Sequence, residues 1–186
     1  MAPELGQKED EELMSLVKTG DFGAFDALYA RYSPGIRRFL FNLLWDDDAA
    51  DDATQEVFFR LYRGRNAYEP AGKLSTWLFQ TAKNYFISQC RKQHSNGQAP
   101  IQLYENIRAN PRIEPDIHLL EEYRRHSIRR AVLRLPAPQR LVFVMSELEG
   151  LKYAQISEML GIPVGTVKSR MFAAVAALRN MLEGEI

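Results

Sequence analysis

Between His94 and about Pro115 the sequence "HSNGQAPIQLYENIRANPRIEP" loses every sustained apolar period and carries three prolines and a glycine among several Asn and Gln. Such a stretch offers no repeating set of apolar side chains to remove from water, so it reads as a linker over residues 94–116. The 186-residue chain is thereby divided into two segments, 9–93 and 117–183. Each must bury a core of its own, and each is small enough that burial has to be efficient.

Both segments are helical by period. After Asp21, a good N-cap residue, Phe22, Phe25, Leu28, Tyr29 and Tyr32 recur at helical spacing. Ser33-Pro34 is expected to open the next helix, with Ile36, Phe39, Leu40, Leu43 and Leu44 on one side. Asp48 is expected to cap a third, carrying Ala53, Val57 and Leu61, and two more follow around "LSTWLFQTAK" and "YFISQCRK" with a break near Asn84. In the second segment Ile117, Leu120, Tyr123, Ile128, Ala131 and Leu135 mark a helix stopped by Pro136, and "PQRLVFVMSELEG" makes another ended by Gly150. No alternating run long enough for a strand stands out. The expected fold class is all-α, two small helical domains joined by a flexible linker.

The last two helices meet at Gly161 in "YAQISEMLGIPVGTVKSRM". Ile156, Leu160, Ile162, Val167 and Met171 fall where two short, steeply crossing helices bury a common face, with small Ser157 and Gly161 at the approach and Pro163 just before the second helix. Thr166, Lys168, Ser169, Arg170 and Phe172 are then left outward near the start of that helix, where helix-turn-helix proteins meet base edges and phosphates. The pattern alone does not choose among repressors, activators and other DNA-binding proteins. The competing reading is an ordinary helical hairpin with a solvated face.

Charge separates along the chain. Formal net charge is zero, which by itself argues against a nucleic-acid binder. Yet residues 1–59 hold 13 Asp or Glu against 5 Lys or Arg, while residues 60–93 hold Arg60, Arg63, Arg65, Lys73, Lys83, Arg91 and Lys92 against Glu69 alone. One acidic and one basic surface imply two different partners. Cys90 is the only cysteine, so no internal disulfide is possible, a reducing compartment fits, and a buried packing role is expected for it. The opening "MAPELGQKEDEELMSL" is acidic where a signal peptide is basic, and "FLFNLLW" is too short to span a bilayer. The expectation is a soluble, cytoplasmic protein without membrane insertion.

"DDATQEVFFRLY" followed by "KLSTWLFQTAKNYFISQCRK" resembles region 2 of bacterial sigma factors, and "LPAPQRLVFVMSELEGLKYAQISEMLGIPVGTVKSR" resembles their region 4. With both motifs in order over about residues 9–182, the chain resembles the extracytoplasmic-function group (group 4) of the sigma-70 family. The resemblance implies a promoter-specificity subunit of RNA polymerase rather than an enzyme. It implies that Asp51, Asp52, Gln55 and Glu56 dock on the basic coiled coil of the polymerase clamp, with the flap as a second polymerase contact. Acids spaced along one helix complement a basic partner and speed encounter.

The same resemblance implies that Lys73, Lys83, Asn84, Arg91 and Lys92 hold opened promoter DNA at the −10 element. Those residue types suit such a role, because the cations track phosphates and the Asn amide pairs with the edge of an unstacked base. It further implies that Thr166, Lys168, Ser169, Arg170 and Phe172 read the duplex −35 element, and that an inhibitory anti-sigma factor is a further partner. Trp77, by its spacing with Leu74, Leu78 and Thr81, is expected in the core, with Phe79 or Tyr85 more exposed; Thr81 departs from the apolar residue usual in the family.

Several negatives accompany this reading. The sequence has no Gly-rich phosphate loop with Lys, no His-Glu-x-x-His and no paired-Cys motif, so no cofactor is expected. His94, His118 and His126 lack metal-like spacing, and the Asp46–Asp48 and Asp51–Asp52 acids have no His or Cys beside them. A stand-alone helix-turn-helix regulator with an N-terminal sensing or dimerisation domain is the alternative, and a helical adaptor without DNA contact the third. Beyond Phe172 the family often adds Arg, whereas Ala173, Ala174, Val175, Ala176 and Ala177 stand here. Ala174 and Leu178 are expected to continue the buried stripe, with Ala173 and Ala177 outward.

Overall fold

Asp21 starts the longest helix: the Ala24 amide donates to its Oδ1 at 3.0 Å, satisfying one of the donors a helix start leaves unpaired. The structure, a computed structural model, describes residues 5–69, 72–95 and 117–183, and the side chains of all of these except 93–95 and 117–124. Every regular element among the described residues is helical. In chain order the α-helices are α1 (Asp10–Lys18), α2 (Phe22–Leu44), α3 (Asp47–Arg63), α4 (Leu74–Ser95), α5 (Ile117–Arg134), α6 (Ala137–Phe143), α7 (Tyr153–Leu160) and α8 (Val164–Glu183). The chain forms two compact units, Met1–Phe86 and Ile87–Ile186, the division falling inside α4. Apart from its first two residues, which end α4, the expected linker 94–116 lies outside the described residues.

In the first unit the apolar stripes of α1, α2, α3 and the first half of α4 close on one another: Leu13, Leu28, Phe39, Phe58, Leu78 and Phe86 are all buried. The predicted boundary at Ser33-Pro34 is not there. α2 runs from Phe22 to Leu44 with Pro34 inside it. Pro34 is exposed while Leu28, Ile36 and Leu40 are buried on both sides of it, so continuous burial overrides the lost amide. The predicted break near Asn84 is likewise absent: α4 is continuous from Leu74 to Ser95, because Leu74, Leu78, Ala82 and Phe86 keep one unbroken buried stripe through it.

The cap of α3 is Asp46, not the expected Asp48: the Ala49 amide donates to Asp46 Oδ1 at 2.8 Å. The turn is tighter than the sequence suggested because Trp45 adopts the left-handed conformation, φ 54°, and its own amide donates to the Phe41 carbonyl at 2.6 Å. Phe22 and Tyr29, expected on the buried stripe of α2, lie on its margin; Phe22 is 67% exposed and stacks on Tyr62 at 5.7 Å. A clasp ties the N-terminal residues down. Arg31 donates to Asp10 (2.6 Å) and to the carbonyls of Gly6 (3.0 Å) and Lys8 (2.7 Å), and the Tyr32 hydroxyl donates to Asp10 Oδ2.

In the second unit Ala131, Val132 and Leu135 of the α5 end pack with Ala174 and Leu178 of α8, with Phe143, Ala177, Met181 and Leu182 around them. Ile128 does not share the stripe; it is 45% exposed while Ser127 is buried, so the inward line runs Ser127, Ala131, Leu135. α6 widens into a π-helical turn, Val144–Leu148, closed by Glu149 N to Val144 O (3.0 Å) and Leu151 N to Met145 O (2.9 Å) ahead of Gly150. The buried Arg140 donates to the carbonyls of Leu133 and Leu135, satisfying acceptors that the end of α5 leaves open. Among the described residues no helix is long and apolar enough to cross a membrane.

Candidate nucleic-acid and partner interfaces

The turn between α7 and α8 follows its sequence, except that Leu160 and Ile162, expected on the buried face, are half-buried. Gly161 adopts φ +64°, its amide donates to Glu158 O (3.3 Å) and that of Ile162 to Ser157 O (3.1 Å), a pairing that ends α7 and needs a residue without Cβ strain. Ser157 Oγ donates across the turn to Ile162 O at 2.5 Å. Pro163 then accepts from the Thr166 amide (2.8 Å), opening α8 where a missing amide costs nothing. Ile156, Val167 and Met171 are buried at the crossing.

With Val167 and Met171 inward, Lys168, Ser169 and Phe172 are exposed, and Thr166 and Arg170 are half-buried at the sides. Phe172 is 79% exposed, the most exposed of the large apolar side chains among the described residues. The expected outward pair, Ala173 and Ala177, does not face outward. Ala174 and Leu178 are buried as expected, but Ala177 packs against the α5–α8 cluster and Ala173 is half-buried. The outward residues of the run are Val175 and Ala176, which follow Phe172 at three and four residues, whereas Ala177 follows Ala174 into the core.

On α3 the four residues expected to meet polymerase do not stand alike. Asp51, Asp52 and Gln55 are exposed and Glu56 half-buried, opposite the buried Ala53, Val57 and Leu61. Arg37 of α2 grips Asp51 (Nε to Oδ1, 2.6 Å) and Asp47 (Nη2 to Oδ1, 2.7 Å), and Arg60 grips Glu56 at 2.7 Å. The guanidinium hydrogen bond from Arg37 holds the Asp51 carboxyl below its ordinary value. The side chains of Asp52 and Gln55 have no hydrogen-bond or ion-pair partner among the described residues. Phe59, which spacing alone does not single out, is 53% exposed on this same face.

All five residues expected at the −10 element lie on α4 or immediately before it. Lys73, Asn84 and Arg91 are exposed and Lys83 half-buried, and their spacing sets them opposite the stripe of Leu74, Leu78, Ala82 and Phe86. Lys92, also exposed, follows Arg91 by one residue and so points away from that line. Asn84 sits in mid-helix rather than at a break, so only its side-chain amide is available. Trp77, Phe79 and Tyr85 are alike half-buried; Trp77 meets Tyr68 edge-on at 6.2 Å, and Arg60 lies 5.8 Å over the Tyr85 ring. Thr81 spends its hydroxyl on Trp77 O at 2.9 Å, which lets a polar residue stand in that half-buried place. Cys90 is half-buried rather than buried, and burial pushes its thiol up, leaving it a poor nucleophile.

Known proteins match this arrangement. Residues 28–96 match the family model for sigma-70 region 2 and residues 125–178 that for sigma-70 region 4. The ECF RNA polymerase sigma-E factor of Escherichia coli K12 is 31% identical over 185 residues, covering 95% of this chain and 96% of that protein. The chain belongs to the extracytoplasmic-function sigma factors. The RNA polymerase sigma-H factor of Pseudomonas aeruginosa is 30% identical over 186 residues, 96% of each chain. The fold is also that of the sigma factor RpoE solved with the anti-sigma factor NepR from Bartonella quintana: TM-score 0.59 and 24% identity over 86% of this chain and 96% of that one. As an extracytoplasmic-function sigma factor the chain directs promoter-specific initiation by RNA polymerase and carries no catalytic step itself.

Proposed function

We propose a division of labour within this sigma factor. Segment 9–93 binds core polymerase and the opened −10 element, segment 117–183 binds the −35 duplex, and 94–116 links them. On α3, Asp51, Asp52, Gln55 and Glu56 meet the basic clamp coiled coil, with Arg37 fixing the carboxylate of Asp51. On α4, Lys73, Lys83, Arg91 and Lys92 follow the phosphates of the separated strand while the exposed Asn84 amide pairs with an extruded base, offsetting the few kcal/mol its unstacking costs. On α8, Thr166, Lys168, Ser169, Arg170 and Phe172 enter the major groove, Phe172 against a thymine methyl. The segment 117–183 also meets the polymerase flap.

The observation that supports the −35 assignment is the exposure of Lys168, Ser169 and Phe172 on the first turns of α8, outside its buried line of Val167 and Met171. The outward Val175 and Ala176 add no cation, so contact outside the polymerase complex is weak and family −35 preferences are altered. The region 2 match over 28–96 gives to polymerase the stretch that a stand-alone regulator would use for sensing or dimerisation. An anti-sigma factor is a further partner, covering exposed apolar side chains such as Phe22 and Val175; the site of action is the cytoplasm.

Reconstituted transcription tests the residue roles. Lys168→Ala is expected to lower initiation from a −35-dependent promoter about 5- to 100-fold, the range of one lost base or phosphate contact. Asn84→Ala is expected to impair −10 use while leaving polymerase binding intact. Unchanged −35-dependent initiation, or equal loss of polymerase binding and −10 use, would contradict the respective assignment.

A further inference from the structure

α8 carries an exposed line of side chains that runs on past its first turns. Val164, Lys168, Phe172, Val175 and Arg179 recur at spacings of four, four, three and four, which keeps them along one side of the helix, and all five are exposed. The core takes a different line, Val167, Met171, Ala174 and Leu178. An exposed valine is ordinary on a protein surface. Val175, 42% exposed, differs in its setting: it stands beside Phe172, between the cations Lys168 and Arg179, on a helix without an acid before Glu183. The spacing fits a groove of duplex DNA. From Lys168 to Val175 the helix advances about 10.5 Å, inside the roughly 12 Å width of the major groove, and Arg179 lies about 6 Å further on.

What this line can tell apart is limited by its chemistry. Neither Phe172 nor Val175 carries a donor or an acceptor. Ser169, one turn before Phe172, donates its hydroxyl to the Thr166 carbonyl at 3.1 Å, so that proton is not offered to a base. Ala173, Ala176 and Ala177 add no polar group. In the major groove the apolar group on a base edge is the C5 methyl of thymine. A phenyl ring or an isopropyl group gains by covering that methyl and loses by facing the amino group of cytosine, whose lost hydration it cannot replace. Phe172 and Val175 lie about 4.5 Å apart along the helix axis, a little over one base step of about 3.4 Å.

We propose that Val175 is a specificity-determining residue of this sigma factor: together with Phe172 it selects −35 elements by the C5 methyl groups of two neighbouring thymines. Lys168 and Arg179, at the two ends of the line, pair with phosphates and set the register of the apolar pair between them. This role deepens the α8 reading proposed above and rests on it.

The test is initiation by purified core polymerase with the full-length protein on a promoter it uses. The promoter is compared intact, with its −35 element scrambled, and with each −35 thymine of either strand replaced in turn by deoxyuridine, which removes the methyl and leaves base pairing unchanged. Scrambling is expected to lower initiation, and loss of the methyl to lower it about 4-fold at two positions, the worth of one buried methyl group. Val175→Ala should abolish the penalty at one of these positions and Phe172→Ala at the other, which a merely structural role for either side chain would not produce. Alanine is a good helix former, so neither change disturbs α8. If scrambling lowers initiation while no deoxyuridine costs twofold, or while every penalty survives Val175→Ala, the role of Val175 is overturned and the α8 reading stands. If scrambling changes nothing, the α8 reading itself fails and the role of Val175 with it.

Discussion

Tyr32 shows how one residue couples the N-terminal clasp to pH. Burial, and then the hydrogen bond to Asp10, push its phenol up to about 12 from an ordinary 10.0. The folded protein therefore holds this proton more tightly than the unfolded chain, so the group's contribution to stability is complete below about pH 10 and is lost as pH rises toward 12. In urea titrations repeated from about pH 9 to about pH 12, the parent should lose stability more steeply than Tyr32→Phe. Identical slopes would show that the Asp10 contact does not persist in solution. By contrast the Arg37 pairs with Asp47 and Asp51 are exposed, and pairs of that kind contribute little net stability. Their consequence is orientation: one guanidinium fixes two exposed carboxylates and offsets only half of their charge, so the face stays acidic.

At the scale of elements, α2 carries a cost its fold overrides. Pro34 stands in the interior of a 23-residue helix, exposed, without an amide to give the Ala30 carbonyl. Pro34→Ala restores that hydrogen bond and disturbs no buried contact, so it should raise unfolding free energy by about 1–3 kcal/mol, measured by urea denaturation. A loss of stability would mean that the proline ring packs or that α2 is bent at this point. The same helix shows what the sequence could not reveal. Helix periods were legible because apolar spacing reports burial directly, and the Asp21 cap and the Gly161 turn follow from local chemistry alone. The joins at Pro34 and Asn84 were not legible: whether a helix continues through a poor residue is decided by the burial of Leu28 with Ile36, or of Ala82 with Phe86, against other elements. Nor was the inward turn of Ala177, since an alanine reads alike on either face. The outward residues of α8 were legible by exclusion from its buried stripe, whereas Phe59 looked like one more core aromatic in "EVFFRLY", and only its register on α3 separates it from buried Phe58.

For the whole molecule, zero net charge ceases to be a puzzle once the acids and bases have different addressees. In the proposed assignment the acids of residues 1–59 meet a basic polymerase surface and the cations of α4 the opened strand, and the modest basic content of α8 suffices because a polymerase already on DNA supplies the rest of the affinity. Promoter recognition is then a property of the assembled complex and not of the free chain. The direct measurement is transcription by purified core polymerase on fragmented genomic DNA, with and without this protein, mapping the 5′ ends of the transcripts. Start sites preceded by two shared sequence elements should appear only when the protein is present, and the protein alone should show no comparable affinity for those fragments. Unchanged start sites, together with tight binding of the free protein as a dimer to paired half-sites, would contradict a sigma-factor mechanism for this chain.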